Sequence, residues 1–187
     1  MLKPILTLSV LALIAACGST VTRLNMPSVE PTQSLRASVG SVMIRTVSLP
    51  TYAATEEISL ETEPGIITSD GDLLSADDPA RGVTLALTKG VGDILDVNVG
   101  PDPWPFAGLP DVAVDVRVSE MLGSAVTGQF RLAGQYYVGG DGIDYPDQTR
   151  SFAFTVPMAT PDIPGAIAAQ GVAVAQLAQD IASRLGR

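Results

Sequence analysis

The chain has 187 residues, 20 acidic and 11 basic side chains, one cysteine and no histidine. Lacking histidine, it lacks the commonest general base and the commonest transition-metal ligand, and a single cysteine allows no internal disulfide. A net charge of −9 repels nucleic acid and anionic head groups.

The first element is a leader. Lys3 is a short positive start, Ile5 to Ile14 are almost continuously apolar, and Ala15-Ala16 are small residues before Cys17. The apolar run is too short to span a bilayer as a mature helix and reads as a secretory signal over residues 1–16. A cysteine at the cut position predicts a bacterial lipoprotein, with a diacylglycerol on the sulfur and an acylated new amino terminus. The competing reading, a small buried cysteine, ignores the agreement of leader, small residues and position. Each buried methylene contributes roughly 0.8 kcal/mol, so two or three acyl chains anchor a protein almost permanently. Gly18 follows, not the aspartate typical of inner-membrane retention, which predicts sorting to the outer membrane. Removing the leader leaves about 170 residues, enough for one domain.

Residues 17–37, polar and broken by Pro27 and Pro31, read as the lipidated amino terminus and an extended tether. The domain is expected over 38–187. Val42 to Val47 is a β-rich run closed by Pro50. Weaker strands are expected around Ile58 and Leu60, Ile66-Ile67 and Leu73-Leu74, with turns at Pro64-Gly65 and Asp70-Gly71-Asp72. Asp78 before Pro79 predicts a capped helix start. Ala80, Val83, Leu87, Val91 and Ile94 mark its inward face, although Gly82, Gly90 and Gly92 each weaken it by about 1 kcal/mol. After a strand near Leu95 to Val99 and a proline-rich loop around Trp104, Val112, Val114, Val116 and Val118 alternate with wetter residues. Residues 126–138 and 152–156 repeat that pattern, and short links predict an antiparallel meander. A helix from Ile163 to Leu185 ends the chain, capped by Asp162, with its stripe at Ile167, Val174, Leu177, Ile181 and Leu185. The fold class is α/β: one domain with a mixed, mostly antiparallel sheet flanked by two main helices.

Few constellations carry chemistry. Gly139-Gly140-Asp141-Gly142-Ile143-Asp144 matches a calcium-binding nonapeptide repeat, which works only in tandem. Here it occurs once between two strands, where glycines supply positive φ for a hairpin turn. Ser69 to Asp72 lacks the spacing of an EF-hand loop. No nucleophile elbow, P-loop or dinucleotide fingerprint occurs. No metal, cofactor or catalytic group is therefore expected. The candidate partner contacts are Trp104, bracketed by prolines, and Leu49, Pro50 and Tyr52 at the end of the first strand. Each packs inward equally well.

In order, the features resemble the PqiC/YmbA auxiliary lipoproteins. They are the cysteine box, the tether, a strand closing in Leu49-Pro50-x-Tyr52, a helix after a turn containing Pro79, and the valine-alternating strand. The hairpin Gly128 to Tyr137, Phe152-x-Phe154 and a terminal Leu177-Ala178-x-Asp180-Ile181-Ala182-x-x-Leu185 helix follow. Two departures stand out: Leu74 to Ala80 keeps the family's proline but not its preceding aromatic, and its Phe-x-Gly appears as Met121-Leu122-Gly123. The resemblance implies an auxiliary component of a transport system of the mammalian-cell-entry (MCE) type, which pairs an inner-membrane ABC transporter with periplasmic MCE proteins. Such systems move phospholipid or other hydrophobic molecules between the two membranes. It further implies an outer-membrane lipoprotein facing the periplasm, docking an MCE-domain protein, with members that work as ring-like homo-oligomers. A stand-alone carrier holding a hydrophobic ligand in its core is the alternative, and predicts a sizeable apolar cavity. A hydrolase is disfavoured by the missing histidine.

Overall fold

The computed structural model describes residues 21–187. The leader and Cys17 lie outside the described residues. The strands are β1 (Thr22–Leu24), β2 (Ser41–Ile44), β3 (Glu57–Glu63), β4 (Ile66–Ser75), β5 (Asn98–Pro101), β6 (Val112–Ser124), β7 (Gln129–Gly140) and β8 (Gln148–Pro157). The helices are α1 (Pro79–Leu95) and α2 (Ile163–Leu185).

All eight strands join one mixed sheet built around β6. Along one edge of β6 runs β7, then β8, an antiparallel meander. The opposite edge is shared. The start of β6 pairs with β2, Val42 beside Val112, and β5 lies beyond. Its end pairs with β3, Leu60 beside Gly123, with β4 and β1 beyond. These contacts are parallel except β3 with β4, so the antiparallel ladders hold most of the paired length, as the sequence implied.

Alternation decides which face is covered. Val112, Val114, Val116 and Val118 of β6, Phe130, Leu132, Tyr136 and Val138 of β7, and Phe152 and Val156 of β8 are buried. Both helices pack on that face: α2 against β6, β7 and β8, α1 against β2 and β5, and each against the other. The inward face of α2 includes Leu177, Ile181 and Leu185, all fully buried. An aromatic row, Tyr136 to Phe152 to Phe154, runs with centroids 6.4 and 5.9 Å apart.

The caps are local and specific. Asp78 accepts from the Arg81 amide at 2.8 Å and Asp162 from the Gly165 amide at 2.8 Å, each filling an orphan donor of a first helical turn. Gly90 is a packing residue rather than a flaw. A Cβ there would meet the Ala178 Cβ at 2.8 Å, so the glycine lets the two helices cross closely. Thr84, buried on α1, donates to the Ala80 carbonyl at 2.7 Å and accepts from the Val47 amide at 3.0 Å.

Four expectations change. The stretch taken as tether is, from Thr22 onward, bound to the domain: β1 pairs with β4, Pro27 lies on Gly171, and the Leu35 amide donates to the Ile94 carbonyl at 2.7 Å. Met26 to Thr32 of this segment line a groove between α1 and α2, and its Met26 and Leu35 pack against the core. Second, Asp70-Gly71-Asp72 is no turn but part of β4, whose ladder with β3 shifts register at this level. Third, the strand predicted from Leu95 begins at Asn98, because Leu95 closes α1 and Asp96 turns the chain with φ 51°. Fourth, Gly139 and Gly140, which end β7, and Gly142 beyond it do not have positive φ. They sit where backbone approaches: a Cβ on Gly140 would overlap the Ile143 carbonyl oxygen, and one on Gly142 would lie 2.7 Å from that of Pro110.

Candidate functional site

The first strand's end turns largely inward. Past Ile44 the chain stays beside β6, with the Ser48 amide donating to the Val116 carbonyl at 3.0 Å. Leu49 packs on the core, and Pro50 opens a 3-10 turn over Thr51–Ala53. The Tyr52 hydroxyl accepts from the Met121 amide at 3.2 Å, beside the β6 register shift. Tyr52 thereby serves the sheet: its hydroxyl satisfies a strand amide near the irregularity.

Trp104 stands elsewhere. The loop from Asp102 to Asp111 folds back from β5, and Trp104 and Pro105 cover Gly100, where a Cβ would lie 2.7 Å from Pro105. The Trp104 ring meets Phe106 edge-on, centroids 4.9 Å apart at 63°. Its indole Nε1 is buried without a hydrogen-bond partner, a cost of about 1–3 kcal/mol that packing must offset. Trp104, itself half-buried, forms a floor rather than a free anchor.

Three residues without any signal of their own in the sequence complete the site. Phe106 is 45% exposed, Leu109 69% and Ile143 44%. Ile143 belongs to the β7–β8 loop, which meets the Trp104 loop where Gly142 abuts Leu109 and where the Asp141 amide donates to the Asp111 carbonyl at 3.0 Å. The two loops together make an apolar tip. The two loops carry Asp102, Asp111, Asp141, Asp144 and Asp147, and neither contains a lysine or arginine. A tip of this kind binds by burial; each large apolar side chain removed from water contributes about 1.5–3 kcal/mol. The carboxylates of these loops repel anionic surfaces.

Elsewhere several charged groups are paired on the surface. Lys89 reaches Asp93 at 2.6 Å and Glu30 at 3.2 Å, and these carboxylates hold its ammonium above the ordinary lysine range. Arg131 pairs with Glu120, and Arg117 with Asp115 at 3.1 Å. The Glu61 carboxyl is lowered by the Ser124 hydroxyl and the Gly65 amide. The buried Tyr136 hydroxyl donates to Asp180 at 2.7 Å, and burial followed by that carboxylate pushes its ionisation far up. It does not titrate near neutrality.

Among the described residues, no three metal-ligating side chains converge, and no helix is long and apolar enough to cross a membrane. The grooves are open to solvent: one between Met26–Thr32 and the two helices holds about 170 Å³, and another over Ser34 to Val39 and Leu95 to Val97 about 470 Å³.

Comparison with known proteins agrees with this architecture. A crystal structure of an uncharacterised protein superposes with a TM-score of 0.72 over 89% of this chain and 99% of its own, at 16% identity. That of protein XCC0632 from Xanthomonas campestris, assigned to the family DUF330, superposes with a TM-score of 0.70 over 86% and 92%, at 12% identity. No curated protein matches the sequence. At these identities the structures establish a shared fold. The family comes from the sequence itself: the model described as "ABC-type transport auxiliary lipoprotein component" matches residues 23–182, so the chain belongs to that family, the PqiC/YmbA type.

Proposed function

We propose that the chain is an outer-membrane lipoprotein that docks the periplasmic MCE protein of an ABC-type transport system for phospholipid or other hydrophobic molecules. It binds and does not catalyse. The observation that carries this reading is the apolar tip of Phe106, Leu109 and Ile143 on a domain of an ABC-transport auxiliary family. There, large apolar side chains from two loops meet solvent side by side with a half-buried tryptophan. The carrier alternative needs a large internal cavity, whereas the core is filled by Leu87, Leu132, Leu177 and Ile181.

The anchor is Cys17, carrying fatty acyl chains after removal of residues 1–16, and Gly18 directs it to the outer membrane. Because residues from Thr22 are bound to the sheet, five peptide steps separate the lipid from the fold, a reach of about 18 Å at most. The domain sits close under the bilayer, held by a short leash. More than one copy assembles on a partner.

The test is capture of the periplasmic part of the MCE protein encoded beside this gene by the full-length lipoprotein in detergent. Phe106→Ser with Leu109→Ser is expected to weaken capture by tenfold or more, the equivalent of about 1.4 kcal/mol. No capture by the unaltered protein would overturn the docking role. Mass spectrometry of the native protein is expected to show a diacylated Cys17 as the first residue.

A further inference from the structure

The two ends of the sheet differ in charge. At one, Ser124, the last residue of β6, faces Gln129 of β7, Gln129 faces Pro157 of β8, and Glu61 of β3 lies beside Ser124. The connectors leaving from this level are residues 64–65, 125–128 and 158–162. They carry one charged residue, Asp162, whose carboxylate accepts from the Thr160 hydroxyl and the Gly165 amide. The two loops at the opposite end, 102–111 and 141–147, carry five aspartates. At the charge-poor end Ile66, Ile67 and Val126 are 50%, 41% and 49% exposed, and Pro157, Ala159, Pro161 and Pro164 are exposed too. Clustered exposed apolar residues mark a protein or membrane contact.

We infer that this end rests on the zwitterionic phospholipid surface of the bilayer that holds Cys17, with Ile66, Ile67 and Val126 entering its interface. The contact rests on the lipid anchor of the proposed function and orients the domain beneath it. Chain length selects the bilayer over a protein partner. β1 runs parallel to β4, away from the β3–β4 turn, so the chain enters β1 from the turn's side. Thr22 lies beside Leu73, next to Leu74, which faces Glu57. From Glu57 to Glu63, the last residue before the turn, β3 takes six steps, about 20 Å. The leash from Thr22 back to Cys17 reaches about 18 Å at most. Stretched towards the turn, it ends level with the hairpin, which therefore meets the lipid. Glu63, exposed beside Ile66, is the acidic exception, and it favours zwitterionic over anionic lipid. The acyl chains already hold the protein, so the contact supplies orientation. It turns Phe106, Leu109 and Ile143 away from the bilayer, about 40 Å off along the 13 residues of β6.

The test uses the full lipoprotein, its Cys17 blocked by lipid, in vesicles of phosphatidylethanolamine and phosphatidylcholine containing nitroxide-labelled lipid. A fluorophore on Ile67→Cys or Val126→Cys is expected to be quenched, and one on Leu109→Cys to stay bright. Ile66→Asp with Ile67→Asp, in the Val126→Cys protein, is expected to abolish that quenching. All these positions are exposed, so the fold is left intact. Protein that does not float with the vesicles would overturn the anchor and the contact together. Floating protein whose Ile67 and Val126 labels stay bright, or whose Leu109 label is quenched instead, would overturn the contact alone. Unchanged Val126 quenching in the Asp pair would assign the distance to the leash and would likewise overturn the apolar contact.

Discussion

The β6–β7–β8 meander and the β3–β4 hairpin are both antiparallel ladders, yet they are held by different forces. The meander has one face under α1 and α2, and its inward side chains are buried from Val112 to Val156. In the hairpin, β4 is exposed from Ile66 to Asp72, and Leu60 is the only buried hydrophobic residue in either strand. Its cohesion comes from backbone ladders, from Ser59–Ser69 hydroxyl contact at 3.0 Å, and from Gly65 at φ 76° in its turn. Such cross-strand interactions contribute about 0.2–1 kcal/mol each, well below the burial of a large side chain. The meander is therefore the stability of the domain, and the hairpin a projection whose residues can vary.

That contrast is broken most directly at Leu132, fully buried at the centre of β7. Leu132→Ala is expected to cost about 2–5 kcal/mol in denaturant unfolding; a loss under 1 kcal/mol would mean the core is not where the meander places it. Gly134 comes next. It lies opposite the β6 register shift, where an added Cβ would overlap the Arg117 carbonyl oxygen. Gly134→Ala is expected to cost about 1–3 kcal/mol as overpacking. Tyr136→Phe keeps the ring and removes the hydroxyl bonded to Asp180, at a cost of about 0.5–1.5 kcal/mol.

A pH effect is smaller and has a fixed sign. The Thr160 hydroxyl, then the Gly165 amide, hold the Asp162 carboxyl below its ordinary range. A group whose folded pKa is depressed adds stability above its unfolded pKa and loses it as pH falls through the folded value. The thermal midpoint is expected to decline below the ordinary carboxylate range, and less steeply for Asp162→Asn. Identical slopes would show that the cap contributes nothing.

What the sequence revealed follows the same division. α2 was legible to the residue, because its aspartate cap, proline and apolar stripe are all local signals. The meander was legible because a strand covered on one face alternates. β4 was not: exposed over most of its length, it has no period, and Asp70-Gly71-Asp72 reads as a turn when neighbours are unknown. The segment after Cys17 was misread for a related reason. Pro27 and Leu35 find their places only once α1 and α2 have met and left a groove, and polar spacing cannot show that. At the tip, Trp104 was visible as an aromatic among prolines. Phe106, Leu109 and Ile143 became a surface only when two loops far apart in sequence met at Gly142.

Gly71 sharpens the comparison from its weak side. It is a glycine inside a strand, as Gly134 is, but a Cβ there would meet nothing within 4 Å, and its φ is not positive. No contact forbids a side chain, so the remaining effect is on the unfolded chain, whose freedom alanine reduces. Gly71→Ala is expected to range from no change to a gain of about 0.5 kcal/mol. The same substitution at two strand glycines then has opposite signs, set by what lies across from each. A loss at Gly71 as large as that at Gly134 would show that the hairpin is packed against something, and would end the view of it as a free projection.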